Sequence, residues 1–425
     1  MIAMAVLVAP AQATTTVEVR STRSVNEKGI DFSTSALRVR GGDEANDLRL
    51  APAEDGAVIV ADTAGVTPGP GCTAQADGSA RCLLPYTAIA AQVDVADGDD
   101  HVLVTAGSAE VSGGAGTDTL EGPSGPYQYG NVLDGGSGDD VLRGSGVLRG
   151  GTGRDVLQGG AGDDVLNGDG GPTLEPDVID GGDGTFDRVL YAGTSTPVQV
   201  DLADPGRDGG DLVTNVESAV GGAGDDRLAG TDGVNWLDGG GGDDVIVGRG
   251  GADRLEGGSG DDRIDGGAGA DRLEGGPGRD RLSGGDGADS LEPGGTRGAN
   301  DCGRGADRLV DPGSHMRVGA DCERLLVDLF VLTRVRRGSA LRFALQWDDT
   351  NIFPPCRTNV SVRHGTRTVA SKSIRAPDGR RHRVAVPLPR SARRAPLRVT
   401  FRTSEGCRKR SGGDLAGAFV LGPPA

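Results

Sequence analysis

From Gly239 to Glu292 the chain repeats a nine-residue unit six times without a break: GGGGDDVIV, GRGGADRLE, GGSGDDRID, GGAGADRLE, GGPGRDRLS and GGDGADSLE. Each unit fits G-G-x-G-x-D-x-U-x, where U is a large aliphatic residue; only the second departs, with Arg249 at its second position. The first six positions are small, turn-forming and acidic, and paired glycines allow the close backbone approach of a tight turn. The last three are long enough only for a very short strand. Alternation sends the middle residue to one face, so Ile246, Leu255, Ile264, Leu273, Leu282 and Leu291 are predicted to line one interior. A three-residue strand is stable when equivalent strands stack above and below it, as in repeat architectures. A flexible Gly/Asp linker would not keep an aliphatic residue at every ninth position.

If two units make one coil, the units alternate between two opposing sheets. Asp244, Asp262 and Asp280 then fall in one column of turns, and Asp253, Asp271 and Asp289 in the other. Neighbouring strands lie roughly 4.8 Å apart. Two carboxylates at about that distance, with an effective dielectric near 20, repel by on the order of 3.5 kcal/mol. A whole domain is stable by only roughly 5–15 kcal/mol, and this cost recurs at every step. Protonation, disorder or a hard cation between turns would relieve it. At neutral pH the cation is favoured, and oxygen-only ligands select calcium (Ca2+).

These residues resemble the RTX, or hemolysin-type, calcium-binding nonapeptide repeat, which forms a parallel β-roll. The resemblance implies that the sixth-position Asp and the turn carbonyls hold calcium between coils. In the main block the matching residues are Asp244, Asp253, Asp262, Asp271, Asp280 and Asp289. An earlier block, GGSGDDVLR (135–143), GGTGRDVLQ (150–158) and GGAGDDVLN (159–167), adds Asp140, Asp155 and Asp164, with Gly144–Arg149 interrupting it. Single matches at 113–121 and 221–229 add Asp118 and Asp226, and a degraded one at 302–310 adds Asp307.

Composition agrees with a thin core. Only 2 Trp, 4 Tyr and 7 Phe occur in 425 residues, and the 76 glycines follow a period of nine rather than the three of collagen. Charge is uneven. Residues 331–425 hold 20 Lys+Arg against 5 Asp+Glu, whereas residues 1–330 hold 24 against 57. A stretch so acidic and glycine-rich is expected to be partly disordered without metal, which couples metal binding to folding.

Residues 1–13, MIAMAVLVAPAQA, have the apolar core and A-x-A site of a secretory signal, although without a basic start. Residues 14–112 read as an irregular β region that caps the first coil. Residues 113–310 read as the roll, with an insertion at 168–220, residues 311–324 as a closing cap, and residues 325–425 as a small basic β-sandwich of about seven short strands. The fold class is therefore all-β: a parallel β-roll or β-solenoid followed by a sandwich. Six cysteines form three candidate pairs, Cys72/Cys82, Cys302/Cys322 and Cys356/Cys407, as expected of an exported chain. No apolar run reaches the length of a transmembrane helix.

Catalytic signatures are missing. There is no H-E-x-x-H and no G-x-S-x-G, and the glycine strings lack the Gly-Lys-Ser/Thr of a phosphate loop. Acid doublets such as Asp139-Asp140 recur too often for one active site. The expectation is a secreted, calcium-binding, non-enzymatic surface or interaction module. The alternatives are a secreted hydrolase, or a cell-wall or polysaccharide-binding protein, that uses the roll as a platform. The basic C-terminal region, with Arg380, Arg381, Arg383, Arg390, Arg393, Arg394, Arg402, Arg408 and Arg410, could hold an anionic cell-surface polymer. Nucleic acid is not expected, since aromatics are few and no binding motif occurs.

Overall fold

The structure, a computed structural model, describes residues 15–25, 31–54, 57–83, 90–105, 107–125, 130–169, 174–204, 210–294, 299–304, 307–310, 317–318, 324–327, 330–336, 340–347, 356–364, 367–376, 382–388, 397–403 and 416–421. The signal-like segment 1–13 lies outside them, as does most of the cap expected at 311–324. Among the described residues the regular elements are all strands, and the repeat region is a parallel β-solenoid. No helix of the described residues is long and apolar enough to cross a membrane. The chain divides into two units, residues 1–191 with 205–216, and residues 192–204 with 217–425.

In the first unit, strands alternate between two parallel ladders as the chain advances. One ladder stacks Ala90–Asp94, Ser108–Ala115, Val132–Ser137, Val147–Thr152, Val165–Asp169 and Arg188–Leu190. The other stacks His101–Val104, Thr119–Glu121, Val141–Arg143, Val156–Ala161, Val178–Asp183 and Leu212–Thr214. Register places aliphatic residue on aliphatic residue: Val111, Leu133, Leu148, Leu166 and Val189 in one file, and Leu120, Leu142, Leu157, Ile179 and Val213 in the other. All ten are buried. Residues 168–220 break the nonapeptide period yet still supply strands to these files. Burying each side chain contributes roughly 1.5–3 kcal/mol, so the core draws its strength from repetition rather than from depth.

The N-terminal segment closes the start of this stack. Asp31–Arg40 pairs in parallel with Ala90–Asp94, and Asp47–Pro52 with His101–Val104, which makes one more coil. Thr15–Val25 and Val58–Asp62 then pair antiparallel onto that coil. Antiparallel partners protect an edge that would otherwise offer free backbone groups. Cys72 and Cys82 lie opposite one another in the hairpin that follows, at disulfide distance. The other two candidate pairs require Cys322 and Cys407, which lie outside the described residues.

The second unit holds the uninterrupted repeats. One ladder runs Ser218–Val220, Trp236–Asp238, Arg254–Glu256, Arg272–Glu274, Ser290–Glu292, Arg308–Val310 and Arg324–Val327. The other runs Gln199–Asp201, Arg227–Ala229, Val245–Val247, Arg263–Gly269, Arg281–Gly287, Ala299–Asp301 and Arg317–Val318. Ile246 pairs with Ile264, and Leu255 with Leu273, so two nonapeptides do make one coil. The six predicted interior residues are at most 2% exposed. After Val327 the described residues form seven strands in two antiparallel sets. Phe330–Arg336, Ala340–Trp347 and His382–Pro387 extend one ladder, while Cys356–His364, Arg367–Ala376, Leu397–Thr403 and Ala416–Leu421 extend the other. Val360, Val362 and Val399 of one set and Val386 of the other are buried.

Coils stack so closely that some glycines cannot carry a side chain. Gly267 has φ +99°, and a Cβ there would collide with the Arg249 carbonyl of the coil before. Gly250, by contrast, has no positive φ, and the nearest atom to its Cβ would be Asp232 Cα at 3.4 Å. Gly267→Ala is therefore expected to destabilise by on the order of 1–3 kcal/mol, the usual cost of overpacking. Gly250→Ala should stay within about 0.5 kcal/mol of the parent. Urea denaturation of the two variants checks the difference.

Candidate metal centre

Each six-residue turn ends on an Asp that is 0–2% exposed throughout both repeat blocks. Burial follows from the pattern: the Asp stands two residues before the interior aliphatic residue, so both point inward. In the second unit the backbone N–H of each Asp donates to Oδ1 of the Asp one coil further on. Asp226 donates to Asp244 (2.7 Å), Asp244 to Asp262 (2.9 Å) and Asp262 to Asp280 (3.2 Å). In the opposite column Asp253 donates to Asp271 (2.9 Å), Asp271 to Asp289 (2.9 Å) and Asp289 to Asp307 (3.0 Å). The two predicted columns are both present.

In the first unit one column runs from Asp100 through Asp118, Asp140, Asp155 and Asp177 to Asp211, joined by the same bond at 2.8–2.9 Å. The coils it joins differ in length, with separations of 18, 22, 15, 22 and 34 residues. Asp164 stands in the other column and donates to Asp187. Asp100, Asp177, Asp187 and Asp211 were not among the candidates from sequence. The turns before Asp100, Asp177 and Asp211 have degraded glycines and the turn before Asp187 keeps its glycines with one residue inserted, but each Asp stands two residues before a buried Val or Ile: Val102, Ile179, Val189 and Val213. That shorter D-x-U signal would have found them.

The second oxygen defines the chemistry. Oδ2 of Asp118, Asp140, Asp155, Asp164, Asp244, Asp253, Asp262, Asp271, Asp280 and Asp289 is shut off from solvent and has no hydrogen-bond partner. It faces the first glycine of its own turn. A Cβ on Gly248 would lie 2.5 Å from Asp253 Oδ2 and 2.5 Å from the Gly266 carbonyl of the next coil; on Gly266 it would meet Asp271 Oδ2 and the Gly284 carbonyl at the same distances. The first glycine thus leaves room where a carboxylate oxygen and a carbonyl oxygen converge. That is the donor set of a hard cation. Asp226 differs, because its Oδ2 accepts the Gly222 N–H at 2.7 Å.

These carboxyls are pushed well above the ordinary carboxylate range. Asp140, Asp164, Asp244 and Asp253 rise to about 7, and Asp118, Asp155, Asp280 and Asp289 to about 6. Asp262 and Asp271 move the same way. Burial is the first cause in every case, and the donated backbone N–H opposes it. Repulsion along the column, expected from sequence to be the main cost, ranks behind both. For Asp271 the repelling charge is Asp265, not a column neighbour.

Asparagines end two columns without adding charge, and a third, Asn131, stands one coil before Gly146, whose N–H donates to Asp164 Oδ1 at 2.6 Å. Asn46 donates to Asp100 Oδ1 through its backbone (2.6 Å) and its amide (2.8 Å). Asn131 accepts the Ala109 N–H and donates to the Ser145 carbonyl. Asn235 donates its backbone N–H to Asp253 and its amide to the Glu217 carbonyl. Arg249, the one departure in the main block, takes the glycine-like φ of 72° and grips Asp201 at 2.7 and 2.6 Å while also donating to the Gly230 carbonyl. Between Asn235 and Arg249 this turn carries its own positive charge. A further exposed ladder lies outside the first column, where Asp261 donates its N–H to Asp243 and Asp243 to Asp225, in the opposite sense along the chain. The other column has Ala252, Ala270 and Ala288 at that position.

The family model for the RTX calcium-binding nonapeptide repeat (4 copies) matches residues 95–125, 128–146, 144–172, 220–255 and 256–291. No curated protein matches the chain.

The raised carboxyl values give the metal-free protein a definite pH dependence. Groups at about 6–7 when folded and about 3.9 when unfolded bind more protons in the folded state between those values. The stability these groups give the metal-free protein is therefore expected to be fully present below about pH 4 and to be lost as pH rises through roughly 7. Far-UV circular dichroism of chelator-treated protein at pH 5 and pH 8 should show more strand at the lower pH. Equal order at both would contradict the buried-acid geometry.

Proposed function

We propose that this chain, which carries RTX calcium-binding nonapeptide repeats, is a secreted structural module whose two coil stacks bind calcium between successive turns and fold on meeting it. The observation that carries this reading is the file of buried, partnerless Asp Oδ2 atoms, each beside a turn carbonyl. A divalent ion there would neutralise charge that burial otherwise penalises. Asp118, Asp140, Asp155, Asp164, Asp244, Asp253, Asp262, Asp271, Asp280 and Asp289 would hold it, with the carbonyls of first-position residues such as Gly266, Gly284 and Pro293. Carboxylate and carbonyl oxygens favour calcium over softer metals, and sites of this kind in extracellular modules have dissociation constants of roughly 10⁻⁴–10⁻³ M. Such a site stays empty in a calcium-poor cytosol and fills outside. The apolar segment 1–13 and the Cys72–Cys82 pair support export.

The role is structural rather than catalytic. The same turn is used at ten positions, whereas a catalytic carboxyl is set apart by an environment its neighbours lack. The basic stretch 331–425 supplies an interaction surface of sign opposite to the roll, suited to an anionic cell-surface polymer.

A double substitution separates an ion ligand from a packing residue. Asp262→Asn with Asp280→Asn keeps volume but removes two buried charges. The variant should be more stable than the parent without metal at pH 8, yet gain less from added calcium. Calcium titrations followed by circular dichroism and urea midpoints read both. An unchanged calcium response would remove these residues from the ligand set.

A further inference from the structure

Among the described residues of the first unit, one cluster of three acids lies outside the nonapeptide period. Asp169, Asp177 and Asp211 each place one carboxylate oxygen within 4.8 Å of the other two. They come from separate places: Asp169 ends the strand Val165–Asp169, Asp177 precedes Val178–Asp183, and Asp211 precedes Leu212–Thr214. Asp169 pairs in register with Gly151, so an acid stands where the repeat has its second glycine.

Each Oδ1 is already used by a backbone N–H: Glu175 donates to Asp169 (3.0 Å), Asp155 to Asp177 (2.8 Å) and Asp177 to Asp211 (2.9 Å). The buried Tyr191 hydroxyl donates to Asp211 Oδ2 at 2.8 Å. Oδ2 of Asp169 and Oδ2 of Asp177 are left, both closed to solvent and without a partner. Asp177 is only 2% exposed, and its Oδ2 is turned onto Gly168, the residue beside Asp169. The three acids are thus fixed by backbone N–H groups with a carboxylate oxygen of each close to the other two, and Asp177 offers an Oδ2 that nothing in the described structure satisfies.

We propose that Asp169, Asp177 and Asp211 form a three-carboxylate calcium site at the end of the first column, where Asp169 adds a third acid to the consecutive column members Asp177 and Asp211, with Tyr191 as the positioning residue that orients Asp211. A nonapeptide turn offers one carboxylate of its own with carbonyls; here three carboxylates converge on one ion. Affinity for calcium rises with ligand charge. This site therefore fills before the repeats and pins the 34-residue step from Asp177 to Asp211. The choice of calcium rests on the reading of the columns; the site itself rests on its own geometry. Burial pushes Asp177 up to about 8 and Asp169 to about 6, which agrees with a cluster that needs a counter-charge.

The test uses the full chain, stripped of metal and titrated with terbium(III) while tyrosine is excited, alongside equilibrium dialysis against calcium. Tyr191 touches the cluster and should sensitise the first ion bound. Asp169→Asn should lose that first phase, bind one calcium fewer and weaken the tightest step by at least on the order of 10-fold, a loss that even outer-shell changes produce. Asp169→Gly restores the glycine of the repeat, carries little risk of misfolding and should behave alike. Tyr191→Phe should keep the ion count and lose most of the early luminescence. If both Asp169 variants keep the parental count and signal while the parent binds calcium, the cluster is a protonated acid group and this inference alone falls. If the parent binds no calcium, the reading of the columns falls with it.

Discussion

The structure depends on one bond repeated along each column: a backbone N–H of one Asp donating to Oδ1 of the Asp in the next coil. It ties neighbouring coils at the point where the chain turns, where strands as short as three residues could not hold them alone. It also fixes the carboxylate so that Oδ2 points away from water and toward the first glycine of the turn. Cohesion between coils and exposure of an ion-seeking oxygen are therefore consequences of the same contact. The aliphatic files behind the columns supply apolar burial, but they are one residue wide on each face. A core so thin cannot absorb many buried, uncompensated carboxylates.

Much of this was legible in the sequence because the period is strict. A nine-residue unit with one inward aliphatic residue admits few geometries, and Ile246, Leu255 and Leu273 lie where the alternation places them. The two Asp columns of the main block follow from counting two units per coil. What the period hid is instructive. Asp100 and Asp177 sit in turns whose glycines have been replaced, and Asp187 sits in one that keeps its glycines but carries an extra residue, so a strict nonapeptide pattern passes over all three. The ladders need only an inward Asp and an inward aliphatic residue; the length between them is free, as coils of 15 to 34 residues show. The source of the electrostatic cost was also not readable. Spacing alone suggests repulsion between neighbours, whereas burial dominates once the carboxylates are packed under the strands.

The departures from the repeat have physical roles. Asn46 and Asn235 keep the hydrogen bonds of the column while removing its charge at an end. Arg249 carries a guanidinium into a turn whose column residue is the neutral Asn235. Gly257 and its equivalents are kept for a reason unrelated to φ: the space a side chain would take belongs to oxygen atoms. The chain thus varies charge turn by turn while preserving the stack.

The most direct measurement is hydrogen–deuterium exchange at the backbone amides of the column aspartates, among them Asp244, Asp253, Asp262 and Asp271, at pH 8. With calcium these amides should be protected along both columns, because each is donated to a carboxylate held in place. After chelation they should exchange rapidly and together, since the columns lose their counter-charge as a set. Equal protection with and without calcium would contradict the account, for it would mean that the buried carboxylates are stable without an ion.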